Sequence, residues 1–365
     1  MDRLLSARKA INEIDKEMAE LFVKRMQASA EVGRYKISHG LPVFDPQREA
    51  EVIRNNSALV DDENLRSYYV NFLQTCMDLS KSYQKQLQEG LRVAYSGVEG
   101  AFAFIAAKRI FPDGVLHSFG DFKSAYEAVV SGECDCCVLP IENSYAGEVS
   151  QVIDIMFKGT LYINGVYDLE ITQNLIGLPG VSRSEVKTVI SHPQALAQCA
   201  GYIKKHGLST IDANNTALAA KYVAENGDNS IAAIASEDTA ALYGLEVVEK
   251  NINENNNNTT RFAVFSRVEK KTPVDDSSMQ SILVFTVKNE AGALAKAVNI
   301  IGNSGFNMRT LRSRSMKKLL WQYYFYVEVD GNAHSPQGEK MMKQLSSCCD
   351  RLRIVGTFAH ETDLK

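Results

Sequence analysis

Proline is scarce, 8 in 365 residues, and there is a single tryptophan. With no Gly-X-Y period either, collagen-like and proline-rich scaffolds are excluded. No apolar run approaches the roughly 18–20 residues that a bilayer span needs, so no membrane partner is expected. Charges begin at Asp2 and interrupt any apolar stretch near the N-terminus. No secretory signal is read there, and the cytoplasm is the expected compartment. Cysteine is present but in an odd number, 7, with two adjacent pairs, Cys136-Cys137 and Cys348-Cys349. That is a poor disulfide framework. The segment ECDCCVLPI reads instead as a strand entering a core, where free cysteine acts as a small hydrophobe. The six histidines (39, 117, 192, 206, 334, 360) lack zinc-like spacing, and no metal is expected. A net charge of −4 is modest, and residues 91–278 hold 15 Lys and Arg against 23 Asp and Glu. No segment looks like a polyanion-binding surface, which argues against nucleic acid.

What remains is a hydrophobic share of 45% and a charged share of 23%, ordinary for a globular chain. At roughly 100–200 residues per domain, two or three domains are expected. Residues 1–88 read as helix nearly throughout. The first helix runs from about Asp2 to Ile37, with an apolar seam at Ile11, Ile14, Met18, Leu21, Ala28, Val32 and Tyr35. Steps of three and four along it are coiled-coil spacing. A second helix follows Asp45, and a third covers about 62–88. Three such helices cannot hide their apolar surface in one copy, so dimerisation is expected. Residues 91–267 alternate short apolar strands with helices, the pattern of a parallel-type α/β sheet. The Asn-rich run at 251–258 reads as a surface loop, and 268–278 as a polar linker. Residues 279–365 give strand, helix, strand, strand, helix, strand, a ferredoxin-like βαββαβ unit.

One residue breaks the apolar seam of the first helix. Arg25 falls between Leu21 and Ala28. It is either an edge residue with its guanidinium in solvent or part of an anion site inside the bundle. Lys36 lies about 17 Å further along a straight helix, and the two could lean toward a small dianion. Arg8 is about 25 Å from Arg25, too far to share that ligand within one chain. The set R8-x-x-I-x-x-I-D15, R25…V-G-R-Y-K36, D45-P-Q-R48-E49 and S80-K-S-Y-Q84 resembles the all-helical chorismate mutases across the whole segment. The resemblance implies that Arg8 of a partner copy, Arg25 and Arg48 bind the two substrate carboxylates. It implies that Lys36 and Gln84 approach the ether oxygen, that Glu49 holds the ring hydroxyl, and that Asp45 and Ser80 support the site. Such a set suits a pericyclic rearrangement, which needs a folded substrate and stabilised charge rather than a nucleophile.

In the middle segment, YSGVEGAF (95–102) puts Gly97 and Gly100 between a strand and a helix. LPIENSYAG ends a strand on Glu142, Asn143 and Ser144. SHPQALAQC does so with Ser191, His192 and Gln194, and NNTALAAK offers Asn215 and Thr216. Each polar end is an ordinary helix cap or part of a lined cleft, and four in one segment favour the cleft. With NTTRFAVF (258–265) and LYGL (242–245), these motifs resemble prephenate dehydratase in order and extent. The resemblance implies two α/β lobes like a type II periplasmic binding protein. Thr260 would be the proton donor to the leaving hydroxyl, in a network with Glu142 or Asn143, with Arg261 and Phe262 fixing its strand. Ala103 departs from the family's hydroxyl residue after GxF.

In the last segment, NEAGALAKAV (289–298) resembles the first loop and helix of an ACT regulatory domain, implying phenylalanine at Gly292, Ala293 and Leu294. The family's second motif, Glu-Ser-Arg-Pro, reads Arg312-Ser313-Arg314-Ser315 here. Ser313 and Arg314 remain, while the acidic residue and the proline are replaced, within a basic stretch that also holds Arg309, Lys317 and Lys318. The expectation is a multidomain chain: mutase at 1–88 as an intertwined dimer, dehydratase at 91–267, ACT domain at 279–365. It would convert chorismate to prephenate and prephenate to phenylpyruvate, without cofactor, under phenylalanine feedback, as a homodimer or larger. The rival readings are a mutase with an inactive dehydratase half and a small-ligand sensor.

Overall fold

The computed structural model describes residues 2–254, 258–270, 279–315, 323–359 and 362–364. The linker at 271–278, Asn255–Asn257, Lys317 and Lys318 lie outside them. The chain divides into two compact units, Met1–Arg92 and Val93–Lys365.

The first unit is three helices: α1 (Asp2–Ser38), α2 (Pro46–Ser57) and α3 (Glu63–Glu89). Asp45 caps α2 by accepting from the Arg48 amide at 3.0 Å, and Pro46 takes the first helical position, where a missing N–H costs nothing. Asp62 caps α3 likewise, and Gly90 ends it at φ 86°. The buried side of α1 is not the seam read from the sequence. Ile11, Ile14, Met18, Leu21, Val32 and Tyr35 are all exposed in the single chain. What packs on α3 is the stripe Ser29, Ala30 and Gly33, against Leu73, Cys76, Met77, Ser80 and Gln84. A Cβ on Gly33 would meet Gln84 Cγ at 3.0 Å, so glycine is what brings α1 and α3 close at this level.

The second unit opens with β1 (Arg92–Ser96), α4 (Phe102–Ile110), β2 (Val115–Phe119), α5 (Phe122–Ser131), β3 (Cys136–Asn143), β4 (Gly147–Glu148), α6 (Ser150–Lys158) and β5 (Tyr162–Glu170). A second lobe follows: β6 (Asn174–Gly177), β7 (Thr188–Ser191), α7 (Pro193–Gln198), α8 (Ala200–His206), β8 (Ser209–Asp212), α9 (Thr216–Asn226), β9 (Ile231–Ala235), α10 (Glu237–Leu242) and β10 (Glu246–Glu249). The chain then returns to the first lobe as β11 (Thr259–Ser266). The last part is β12 (Met279–Thr286), α11 (Ala293–Asn303), β13 (Met308–Ser315), β14 (Tyr323–Asp330), α12 (Pro336–Leu345), β15 (Arg351–Ala359) and β16 (Thr362–Leu364).

Three sheets result, with orders β16-β5-β11-β3-β1-β2 (β4 beside β3), β10-β6-β9-β7-β8 and β13-β14-β12-β15. The first two are mixed, not parallel. β1 pairs parallel with β3, but the returning β11 lies antiparallel to both β3 and β5. A strand that enters from the other lobe, rather than through a covering helix, carries no parallel constraint. The three cysteines at 134, 136 and 137 are buried as the core reading expects. Burial pushes the Cys136 thiol up to about 12 and Cys137 well above its ordinary value, so both stay protonated and inert.

The third sheet has the ferredoxin-like order, and both its faces are covered. Leu283, Phe285, Phe325 and Val327 pack on α11 and α12 through Ala297, Ile301, Met341 and Leu345. Ile282, Val284, Tyr324, Tyr326 and Val355 share one core with Ile153, Met156, Ile163 and Val166 of the first lobe. All of Met279–Thr286 is therefore buried, the continuous apolar run of a strand covered on both sides.

Candidate active sites

In the helical unit, the Arg25 guanidinium donates to Ser80 Oγ at 2.5 Å and to the Cys76 carbonyl at 2.8 Å. It is half-buried, turned onto α3 rather than into solvent. The Lys36 ammonium donates to the Val43 carbonyl at 2.6 Å, and Gln84 Nε2 to Ser29 Oγ at 3.0 Å. Gln84 Oε1 is buried with no partner among the described residues. Glu49 meets Lys81 at 2.8 Å, and Lys81 also reaches Asp78 at 3.0 Å and lies over the Phe44 ring. Burial draws the Lys81 ammonium down, but the hydrogen bonds it donates to Glu49 and Asp78 outweigh it and hold the group above its ordinary value. Arg25, Ser80 and Gln84 lie where α1 meets α3, Lys36 turns to the α1–α2 loop, and Glu49 reaches α3 from α2 through Lys81. Arg48 points away, to Glu51 at 2.6 Å, and Asp45 serves as the cap of α2. Arg8 lies exposed on the free N-terminal part of α1. Lys81 is a residue the sequence reading passed over, although it sits inside the S80…Q84 motif.

In the second unit, a cleft of about 290 Å³ opens between the lobes. The first lobe contributes Ala101, Phe102, Asn143, Glu148 and Thr260, and the second His192, Gln194, Asn215 and Thr216. Asn143 is its centre. Its Oδ1 accepts from the amides of Tyr145 and Ala146 at 3.0 and 2.8 Å, which forms the turn from β3 into β4. Its Nδ2 donates to Thr260 Oγ1 at 2.9 Å and Asn258 Oδ1 at 2.8 Å. Thr260 faces Asn143 directly across the β3–β11 pair. Because Thr260 Oγ1 accepts there, its own hydrogen is left to point elsewhere.

Strand alternation separates the residues that the sequence grouped. Glu142 and Arg261 are also cross-strand partners, but on the face away from the cleft. They pair at 3.1 Å, and Arg261 pairs with Glu328 at 3.1 Å as well. Of the two partners foreseen for Thr260, Asn143 makes the hydrogen bond. Phe262 is buried. Ser191 is buried too, its hydroxyl spent on the Ile234 carbonyl at 2.6 Å. His192 caps α7, its Nδ1 facing the Gln194 amide at 3.2 Å, and still lines the cleft, as do Gln194 and Thr216. Asn215 caps α9 by accepting from Leu218 at 2.7 Å. Ala103 is buried.

Among the polar lining residues, Glu148, Gln173, Gln198 and Asn258 were not singled out from the sequence. Gln173 Oε1 and Asn258 Nδ2 are buried without a partner among the described residues. Asn258 directly precedes the Thr259-Thr260-Arg261 motif, the one signal that could have found it. Among the described lining residues Glu148 alone carries a charge. Cations are absent from that set, so an anion here would meet amides and helix starts. Ala101 begins α4 without any side-chain cap, leaving the first-turn amides to the cleft.

The effector candidates fall on two faces. Gly292 stands just before α11 at φ 83°, a left-handed conformation that suits glycine, with Ala293 and Leu294 following. On β13, burial alternates with period two. Ser313 is exposed, while Arg314 turns the other way onto Glu148, Ser150 and Asp154 of the first lobe. Burial lowers the Arg314 value less than Asp154 and Glu148 raise it, so the group stays charged.

An all-helical unit that holds Arg25 and Lys36 on one helix, followed by a two-lobed α/β unit with a polar cleft, is the architecture against which the relatives are compared. Residues 7–85 match the chorismate mutase type II family, and residues 93–270 the prephenate dehydratase family. The chain is 30% identical to the bifunctional chorismate mutase/prephenate dehydratase of Buchnera aphidicola subsp. Schizaphis graminum, covering 98% of this chain and 97% of that one. It is also 30% identical to the namesake of Neisseria gonorrhoeae, over 97% and 96%. Among solved structures, prephenate dehydratase from Arthrobacter aurescens in complex with L-Phe is 27% identical with TM-score 0.68, covering 74% of this chain and 90% of that one. GqqA, described as a novel type of quorum quenching acylase, gives TM-score 0.68 at 29% identity over 73% and 97%. The chain belongs to the bifunctional chorismate mutase/prephenate dehydratase family, an enzyme with a mutase segment joined to a dehydratase segment.

Asn143 donates and accepts on both sides of one turn, which generates a stability prediction. Asn143→Asp keeps the two acceptor contacts but sets a carboxylate against Asn258 Oδ1 and Thr260 Oγ1. It is expected to destabilise the second unit by about 1–3 kcal/mol, read by denaturant unfolding. An unchanged midpoint would show that these bonds hold nothing together.

Proposed function

We propose that the helical pocket rearranges chorismate to prephenate and that the cleft converts prephenate to phenylpyruvate. The observation that carries the reading is the Thr260 hydroxyl, 2.9 Å from Asn143 Nδ2 at the cleft wall. In the helical pocket, Arg25 meets a substrate carboxylate and Lys36 the breaking ether oxygen, where negative charge develops. Gln84 joins it once its amide is turned over. Ser29 Oγ then donates to Oε1, and Nε2 is released toward the ether oxygen. Lys81 orients Glu49 to accept from the ring hydroxyl. Arg8 belongs to the pocket of a partner copy. The exposed seam Ile11, Ile14, Met18 and Leu21 is the surface that an intertwined dimer would cover.

In the cleft, the first-turn amides of α4 take a prephenate carboxylate, and the neutral lining holds the ring. The ring C–OH bond breaks as the hydroxyl takes a proton from Thr260, leaving as water. The carboxylate on the same carbon framework departs as carbon dioxide, and its bonding pair enters the ring, which becomes aromatic. Asn143 Nδ2 donates to the Thr260 oxygen as it gives up its proton, and solvent water returns that proton to Thr260 at the end of the turnover. Residues 279–365 act as an ACT domain that binds phenylalanine at the Gly292–Leu294 turn. With Arg314 engaged on the first lobe, that binding is weaker than in relatives with the intact second motif, and inhibition is partial. The enzyme works in the cytoplasm as a homodimer or larger assembly, without cofactor.

Supplying chorismate and following prephenate and phenylpyruvate separately tests the assignment. Arg25→Ala or Lys36→Ala is expected to cut mutase turnover by about 10²-fold or more, since such contacts carry about 3–4 kcal/mol of barrier. Thr260→Ala is expected to stop phenylpyruvate while chorismate is still consumed. Equal loss of both activities in either variant contradicts two separate sites.

Subunit mixing tests the shared mutase pocket. Arg8→Ala and Arg25→Ala chains, each inactive alone, should regain activity after exchange, because one of the two mixed pockets is then intact. No recovery under verified exchange rejects the partner's contribution of Arg8. For the regulatory part, calorimetry of the full-length protein with phenylalanine should show binding with partial inhibition of the dehydratase and little effect on the mutase. Absence of any heat rejects the effector site.

A further inference from the structure

We propose that Arg312 is a positioning residue of the dehydratase cleft, holding the β3–β4 hairpin closed behind Asn143 and Thr260. The inference rests on assigning prephenate dehydration to that cleft. Arg312 lies on β13, on the same strand face as Arg314, and both point at the first lobe. Its Nη2 donates to Glu142 Oε1, and its Nη1 is 3.8 Å from Glu148 Oε2. Glu142 and Glu148 are direct cross-strand partners in the antiparallel β3–β4 pair. Two carboxylates placed opposite each other repel and would open the hairpin. Arg312 sits against both of them, and its side chain is 22% exposed, so solvent screens it little.

The hairpin is not remote from the chemistry. Gly147 and Glu148 line the cleft, and the turn between the strands is made by Asn143 accepting from Tyr145 and Ala146. Opening β4 from β3 therefore pulls on the residue that orients Thr260. The other groups facing Glu142 and Glu148 do not substitute for Arg312. Arg261 is shared between Glu142 and Glu328, and Glu328 also accepts from the Tyr326 hydroxyl. Arg314 is shared between Glu148 and Asp154. Among the described residues, only Arg312 spans Glu142 and Glu148. The position where the resembling family carries an acidic residue thus holds, in this chain, the cation that its hairpin requires.

The test uses the full-length enzyme with Arg312→Met, Arg312→Lys and the double variant Arg312→Met/Glu148→Gln. Dehydratase kcat and KM for prephenate, mutase kcat and the melting temperature are measured for each. Arg312→Met is expected to lower dehydratase kcat about tenfold with KM changed less than threefold and mutase kcat unchanged. Arg312→Lys should keep at least a third of the original kcat. Glu148→Gln should recover part of the loss in the Arg312→Met background, because it removes the repulsion. A dehydratase kcat within twofold of the original in Arg312→Met overturns the proposal. So does Arg312→Lys no better than Arg312→Met, or no recovery in the double variant. Should Arg312→Met fail to fold, the double variant and Arg312→Lys carry the same comparison. No prephenate turnover by the unsubstituted chain would instead refute the functional reading itself.

Discussion

The second unit depends on the pairing of β3 with β11, because that pairing decides which residues face the cleft. Side chains alternate along each strand, and cross-strand partners share a face. Thr260 opposite Asn143 places both at the cleft, and Arg261 opposite Glu142 then places both behind it. A slip of one residue would exchange the two pairs, removing the hydroxyl and inserting an ion pair. The register is interrupted immediately beyond, where Phe262 faces Pro140 and Ile141 is the extra residue. Pro140 has no N–H for a ladder bond, and a bulge is where a central strand tolerates that. The irregularity lies next to the site and fixes the angle at which the last residues of β3 meet the cleft.

The two sites answer the same electrostatic demand by different means. Both are read as handling dianions. The helical unit offers side-chain cations, Arg25 and Lys36, and pairs its acid Glu49 with Lys81. The cleft has no cation among its described lining residues and relies on amides and an uncapped helix start. This explains how a segment with an excess of acidic residues can accept an anion. Glu142, Glu148 and Asp154 are turned toward arginines on β11 and β13, so their charge is spent locally. A helix start is a good anion site in such surroundings because its amides are dipoles fixed by the fold and need no counter-charge of their own.

The extent to which this was legible in sequence varies with the range of the interaction. Helix limits in the first unit came within one or two residues, since Asp45, Pro46, Asp62 and Gly90 are local signals. The polar strand ends at Asn143, His192, Gln194 and Thr216 did converge on one cleft. The stripe of α1 that packs on α3 was not legible, because Ser29, Ala30 and Gly33 are small residues that leave no apolar period, while the apolar seam stays exposed in the single chain. The parallel sheet failed for a topological reason: nothing local marks β11 as a strand returning from the other lobe. Grouping Glu142 with Asn143 failed because adjacent strand residues point opposite ways. Arg312 looked like part of a solvated basic stretch, and only the tertiary fold shows the acids it meets.

The packing of the third sheet restricts how it can move. An effector changes activity only through a difference in its affinity for two states. The Gly292–Leu294 turn lies at the start of α11, which packs on one face of the third sheet. The opposite face of that sheet shares its core with the first lobe, and close-packed cores resist graded deformation. Sliding the whole sheet would break that core, so a small ligand cannot drive it cheaply. The edge strand β13 is different. It pairs with β14 on one side only, Ser313 faces outward with the exposed residues, and Arg312 and Arg314 face the lobe. A tilt of β13 alone would move both arginines against Glu142 and Glu148 while leaving the apolar core intact. Within this fold, the least costly displacement of the third sheet that reaches Glu142 and Glu148 therefore runs along one strand and through its ion pairs.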